Sequence, residues 1–234
     1  MKKPYIKKLG IFSGFNVWIV DGKYIRKNLD EEFSNFGQPL DFKIIPKNEL
    51  WIDKEHDGNE SRFFINHMLT EHRLMVEGKS FDQALKIADR IERKERAKSK
   101  IIKRALRKIR HKKEILNKIH KKLIKKYSKR IKVWIVRGEL VRDLFFVEFT
   151  EGGHDQVYHF VPKGEIWIDD DVSQKERKFV LLHELHERNL MAKGWVYDTG
   201  KRAAHWSAAR IEHFCRRYPQ FLDMKIEEEL NKVK

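Results

Sequence analysis

Short runs rich in β-branched and aromatic residues precede longer stretches with helical spacing, and this order occurs twice along the chain. In the C-terminal part, Val133 to Val141 and Val157 to Val161 have strand composition, Gly152-Gly153 marks a turn between them, and Glu165 to Asp169 follows Pro162 and Gly164. Three short strands are predicted. Ser173 with Glu176 three residues later has the capping-box pattern, so a helix is expected to open there. Phe179, Leu182, Leu185 and Leu190 continue at helical spacing, and Gly194 stops the helix. A second helix is predicted from about Tyr197 to Arg217. The N-terminal part repeats the plan, with Asp57 and Glu60 as the start signal and Gly78 as the stop. Trp51 and Trp167 read as core residues.

Sliding the chain against itself by 116 positions explains the repetition. Val17-Trp18-Ile19-Val20 then meets Val133-Trp134-Ile135-Val136, and Trp51-Ile52-Asp53 meets Trp167-Ile168-Asp169. The same register pairs Gly22 with Gly138, Arg26 with Arg142, Phe63 with Phe179, His67 with His183, Glu71 with Glu187, Gly78 with Gly194 and Asp82 with Asp198. Chance does not hold one register over that many Trp, His and Gly matches, so the chain carries two copies of one module. The expected fold is α+β, a tandem duplication of a small sheet plus a two-helix module.

Between the copies the pattern changes. Ile102, Ile109, Leu116 and Leu123 recur every seven residues, and Leu106, Ile119 and Tyr127 widen the stripe, which predicts a long amphipathic helix. Its other face is basic: residues 93–132 hold 20 Lys and Arg against Glu95 and Glu114. The expected organisation is therefore an N-terminal copy over 1–92, a basic helical connector over 93–132 and a C-terminal copy over 133–234. The whole chain of 234 residues has a formal charge of +16, so this segment, at +18, carries all of the excess. A polyanion, nucleic acid first, is the expected partner, with Lys112, Lys113, Lys121, Lys122, Lys125 and Lys126 as contacts. A solvated spacer helix is the rival. The segment has no Trp or Phe on its apolar face, which argues against a membrane-surface helix.

With 41% hydrophobic residues, 6 Trp and 15 Phe the chain has material for folded cores. The apolar stretch after Met1 to Gly10 is broken by Ser13, Gly14 and Asn16, so neither a signal peptide nor a membrane span is expected. A single cysteine, Cys215, cannot form an internal disulfide, and a reducing, cytoplasmic setting is the natural expectation.

The concentrated chemistry lies in Leu181-Leu182-His183-Glu184-Leu185-His186-Glu187. Residues four apart share a helix face, so His183 and Glu187 can grip one ion with Glu184 beside it. Zinc needs a third protein ligand, and His205 and Asp198, beyond the Gly194 turn, are the donors a helical hairpin brings back. The strand ending in Glu165-Ile166-Trp167-Ile168-Asp169, followed by Phe179-Val180-Leu181-Leu182-His183-Glu184, resembles the strand and active-site helix of the minimal zincin metallopeptidases, of the IrrE/ImmA and SprT-like types. The likeness covers roughly 40 residues of one copy, little more than one supersecondary unit. It implies zinc, peptide-bond hydrolysis, His183 as a ligand and Glu184 as the general base. The chain departs from that pattern in having Glu187 where those enzymes have a second His, making the motif HExxE, with His186 one position earlier.

The N-terminal copy serves as an internal control. It keeps His67 and Glu71 but has Met68 in place of Glu184 and Thr70 in place of His186, and the ungapped register sets Asp89 against His205. It lacks the base and is expected to be inert. Since only the 183 and 187 chemistries recur, Glu187 rather than His186 is the expected ligand. The competing reading makes His183 and Glu187 a buried hydrogen-bonded pair that fixes the helix on the sheet, in a non-enzymatic protein of nucleic-acid-binding or structural type. His154, after Gly152-Gly153, is a weak candidate for a substrate or oxyanion contact. Asp169-Asp170-Asp171 reads as helix-dipole stabilisation rather than a cation site.

Overall fold

The computed structural model describes residues 4–56, 58, 60–98, 112–199 and 202–233. It is α+β, with two four-stranded mixed sheets and eight α-helices among the described residues. The first sheet is built from β1 (Tyr5–Phe12), β2 (Phe15–Val20), β3 (Phe36–Gly37) and β4 (Glu49–Asp53), in the order β1-β2-β4-β3. Helix α1 (Gly22–Asn28) lies between β2 and β3, and α2 (Ser61–Val76) and α3 (Phe81–Ala97) follow the sheet.

The second module repeats this order. After α4 (Lys112–Ile119) come β5 (His120–Leu123), β6 (Lys132–Val136), α5 (Gly138–Leu144), β7 (Gly152–His154) and β8 (Glu165–Asp169). The sheet runs β5-β6-β8-β7, followed by α6 (Arg177–Met191), α7 (Ala204–Arg217) and α8 (Leu222–Lys232). The repeat extends to strand register. Trp18 faces Trp51 across the parallel β2/β4 pair, and Trp134 faces Trp167 across β6/β8.

Several local expectations are corrected. Residues 138–141 open helix α5 rather than continuing a strand, because β6 and β8 are parallel and a parallel pair cannot be joined by a tight hairpin. Gly138 makes the turn: a Cβ there would lie 1.9 Å from an Asp169 carboxylate oxygen, as one at Gly22 would lie 1.8 Å from Asp53. Gly152-Gly153 forms strand β7 instead of a turn. Val157 to Val161 forms successive turns, closed by Val157 N donating to His154 O and Val161 N donating to Tyr158 O. Phe160 and Val161 are buried, so their composition reflects packing rather than strand pairing.

The basic connector is not one helix to residue 132. Helix α4 ends at Ile119, and His120–Leu123 pairs antiparallel with β6, so the second module begins inside the expected connector. Ile102, Leu106 and Ile109 lie outside the described residues. The part of the apolar stripe that is described feeds the second module: Ile119 and Tyr127 are buried, and Tyr127, Ile124 and Ile131 join its core.

The structure divides into two compact units, one of residues up to 110 together with Glu139–Glu148, the other of His111–Gly138 and Phe149–Lys234. In the first, Val17, Ile19, Leu50 and Ile52 of the sheet pack on Phe64, Ile65 and Met68 of α2. In the second, Val133, Ile135, Ile166 and Ile168 pack on Val180, Leu181 and Leu185 of α6, and Leu222 and Ile226 of the unforeseen helix α8 close the far side.

Each helical hairpin is tied by the same buried relay. His67 Nδ1 donates to Glu92 at 2.7 Å, Arg96 Nε donates to the other Glu92 oxygen at 2.7 Å, and Arg96 reaches Glu60 at 2.6 Å. In the second module His183 Nδ1 meets Glu212 at 2.9 Å, Arg216 Nε meets Glu212 at 2.8 Å, and Arg216 Nη1 meets Glu176. The guanidinium stacks over Phe63 in one case and Phe179 in the other. Glu60 and Glu176 are themselves the N-cap residues of α2 and α6 and make no side-chain cap bond, so Ser173 is not the N-cap expected of it. These carboxylates serve as anchors for arginine.

The relay also corrects the alignment of the copies. Glu92 and Arg96 correspond to Glu212 and Arg216, an offset of 120, so four residues are inserted in the second module after Gly194. His205 therefore matches Leu85 and not Asp89, and the second helix starts at Ala204, seven residues later than expected.

Burial opposes charge on His67, but its hydrogen bonds to Glu71 and Glu92 outweigh this and hold its pKa up at about 10. Its contribution to stability is full below the unfolded value of roughly 6.5 and is lost as pH rises through about 10. Denaturant unfolding of the wild type and of His67→Gln at pH 6 and pH 10 is expected to show the larger gap at pH 6. Equal gaps at both values would contradict a charged His67.

Candidate metal centre

Helix α6 presents His183, Glu184 and Glu187 towards β7 and α7. His183 and Glu187 stand one turn apart, and the first turn of α7 brings His205 beside them. His183 Nε2 lies 3.2 Å from His205 Nδ1 and 3.5 Å from Glu187 Oε2, and His205 Nδ1 lies 3.0 Å from the same oxygen. These three residues form a group whose ligand atoms converge as for one cation. A metal with bonds of 2.0–2.2 Å in tetrahedral arrangement sets its ligands about 3.3–3.6 Å apart, so the triangle, with edges of 3.0, 3.2 and 3.5 Å, is slightly tighter than one face of such a tetrahedron.

Hydrogen bonds outside the triangle decide what each atom in it offers. Glu212 accepts from His183 Nδ1, so Nε2 faces the triangle; hydrogen bonds to Glu187 and Glu212 outweigh burial and hold the His183 pKa well above the usual imidazole value, so without a metal Nε2 keeps a proton that a cation would displace. Such a carboxylate behind an imidazole fixes the tautomer of a ligand histidine. Glu187 Oε2 is a carboxylate oxygen and can only accept. His205 Nδ1 lies within hydrogen-bond distance of both other atoms, so without a metal protons on the imidazoles bridge the three atoms, a place that a cation can take.

His154 does a different job from the one considered for it. Gln156 N donates to its Nδ1 at 3.1 Å, so the proton of the neutral ring sits on Nε2 and is donated to Glu187 Oε1 at 2.9 Å. His154 also falls in a second acid-rich group with Glu184 and Glu187, but a protonated Nε2 orients the carboxylate and is not free to ligate. The first module supports this role, since Gln38, at the position equivalent to His154, donates its amide to Glu71 Oε1 at 2.7 Å. Residues Gln38, Glu92, Glu212 and His154 had no clear signal in the sequence as partners, because they are contributed by distant elements.

Glu184 is buried beside this triad, and its carboxyl lies within ligand distance of Glu187 and His154. Burial and the Glu187 charge push its pKa up to about 8. Glu187 is shifted the other way: burial raises it, but hydrogen bonds from His154, His183 and His205 hold it well below the usual carboxylate range. Relay contacts keep Glu212 down at about 2, because Arg216 and His183 overcome its burial. The two neighbouring carboxyls on α6 are thus driven apart, one towards the acid and one towards the anion.

The expected His183, Glu187 and His205 come together, whereas Asp198 does not join them; its carbonyl accepts from the Trp206 indole at the surface. His186 points elsewhere, with Glu229 at 2.8 Å and Ser207 at 3.0 Å, and ties α6 to α8 and α7. Asp170 accepts from Gly138 N and pairs with Lys121, consistent with turn and charge stabilisation. His205 is the most open member of the triad, its side chain 26% exposed against 14% for His183 and 4% for Glu187.

The first module keeps His67 and Glu71 but has Met68, Leu85 and Gln38 at the positions of Glu184, His205 and His154, and Met68 is packed in the apolar core. Among the described residues only the second module assembles the triad. The chain matches no protein-family model, no curated protein and no solved structure.

Glu184 occupies a position that the sister module fills with a core methionine, and a buried carboxyl there costs stability. In metal-free protein, Glu184→Met is expected to stabilise the second module by roughly 1–3 kcal/mol. Thermal or denaturant unfolding checks this, and a destabilised variant would show that the carboxyl is structurally required.

Proposed function

We propose that the second module is a zinc-dependent hydrolase of peptide bonds, with the first module as a catalytically inert copy. The observation that carries this reading is the convergence of three potential ligand atoms, His183 Nε2, His205 Nδ1 and Glu187 Oε2, at separations close to those around one tetrahedral ion. Two nitrogens and one carboxylate oxygen form a ligand set that zinc accepts in catalytic sites, where a fourth position stays open. Peptide hydrolysis rests on the likeness of the β8–α6 unit to the zincin active-site helix.

His183, Glu187 and His205 would hold the zinc, whose chemistry there would be Lewis acidity and a water acidified towards neutral pH. His183 and Glu187 present fixed lone pairs because Glu212 and His154 hold their far sides. Glu184 takes the proton of the attacking water. Positive charge in the triad favours its carboxylate form, which opposes the upward shift that burial and Glu187 impose. The exposed edge at His205 is the side open to substrate. No helix among the described residues is long and apolar enough to cross a membrane, and buried, free Cys215 suits a reducing cytoplasm.

Protein purified without added zinc should contain about one zinc per chain on elemental analysis, and the double variant His183→Ala/Glu187→Ala should contain none. Stoichiometric zinc in the double variant refutes the ligand assignment. Glu184→Gln should keep the metal and lose peptide hydrolysis by roughly 10²–10⁴-fold. A zinc-loaded wild type without activity on a peptide library would leave the metal site and reject the peptidase.

A further inference from the structure

The fold turns part of the basic segment into a surface unlike the helix expected from the sequence. Strand β5 lies at the edge of the second sheet, and a 3₁₀ turn at Lys125–Tyr127 follows it. Lys121, Lys122, Lys125, Lys126, Lys129 and Arg130 are all exposed along this strand and turn. The apolar residues between them point inward: Tyr127 and Ile131 are buried, and Ile124 packs on the same core.

The cations fall into two sets. Lys121 pairs with Asp170 at 2.8 Å, Lys126 lies over the Tyr127 ring at 5.0 Å, and Arg130 donates to Asn231 O at 3.0 Å at the end of α8. Lys122, Lys125 and Lys129 have no acidic partner among the described residues. They follow one another at intervals of three and four residues, and Lys129 lines a small groove of about 80 Å³ together with Lys126, Arg130 and a single acid, Glu227 of α8. A strongly positive ridge with its apolar side chains withdrawn suits a partner that offers regularly spaced negative charge and asks for no apolar contact. That description fits a phosphodiester backbone better than a lipid surface, which is gripped by inserted apolar or aromatic groups as well as by charge.

We propose that the β5 edge and the turn after it bind nucleic acid through its phosphates, with Lys122, Lys125 and Lys129 as the principal contacts. Phosphate contacts position a protein without reading bases, so binding is weakly dependent on sequence. It does not rest on the hydrolase reading, and the binding assay is run with chelator present to keep the two apart.

The full-length protein is titrated against fluorescently labelled duplex and single-stranded DNA over a salt series, alongside Lys122→Glu/Lys125→Glu/Lys129→Glu. A control of equal charge change, Lys27→Glu/Lys79→Glu/Lys86→Glu, alters exposed lysines of the first unit. The ridge variant should bind at least about tenfold more weakly than the control, and its plot of log affinity against log salt should be shallower by roughly 2.7, the value for three duplex phosphates. Equal loss in both variants would reduce the effect to net charge and overturn the assignment. Unchanged binding by the ridge variant would overturn it too. Lysine-dependent binding to phosphatidylserine vesicles or to polyglutamate, without binding to DNA, would replace nucleic acid with a membrane or an acidic protein.

Discussion

A buried alternation of imidazole, carboxylate, guanidinium and carboxylate holds each module in shape. Taking these groups out of water is expensive, and the cost is met only when every partner is present. Arg96 lies between Glu92 and Glu60, and Arg216 between Glu212 and Glu176, so each arginine joins the hairpin's second helix to the start of its first. The same relay fixes the inward histidine through its Nδ1. Ring orientation at the candidate centre is therefore inherited from the interaction that docks the helices, and need not be built separately.

Divergence between the modules has occurred inside this shared frame. The relay, the paired tryptophans and the two turn glycines are common to both, while the residues around Glu71 and Glu187 differ. Where the first module has the amide of Gln38, the core methionine Met68 and Leu85, the second has the imidazole of His154, Glu184 and His205. In the first module Glu71 is satisfied by Gln38 and lies 3.5 Å from His67, which is what a purely structural pair requires. Buried polar groups at positions the frame does not need are a stability burden, and in the second module they are grouped on one side, around Glu187.

The duplication, the α+β class and the helix bearing His183 were legible because they rest on local pattern and on a long shared register. His183, Glu187 and His205 could be named for the same reason, since i,i+4 spacing and a returning hairpin are local geometry. What was not legible depended on contacts between distant segments. Val157 to Val161 has strand composition but is buried in turns, and Gly152-Gly153 pairs as a strand because β8 offers an edge. Leu116 to Tyr127 carries a helical stripe, yet from His120 onward the pairing with β6 outweighs helix propensity. The four-residue insertion after Gly194 was hidden because Asp82 and Asp198 happen to agree in the ungapped register.

Residues Glu139–Glu148 belong by descent to the second copy and by contact to the first unit, where Arg142 and Asp143 meet Glu60 and Arg96. This has a consequence for how the protein is made. The first unit is not complete when the ribosome has finished the first copy, because two members of its charge network are encoded more than thirty residues further on. At about 5–20 residues per second, several seconds separate the emergence of its sheet and hairpin from that of the residues that complete it. During that interval Glu60 has only Arg96 to neutralise it among these partners. Synthesis of the second copy is thus a step in the maturation of the first, and a gene cut at the repeat boundary would encode a first half lacking part of its own interior.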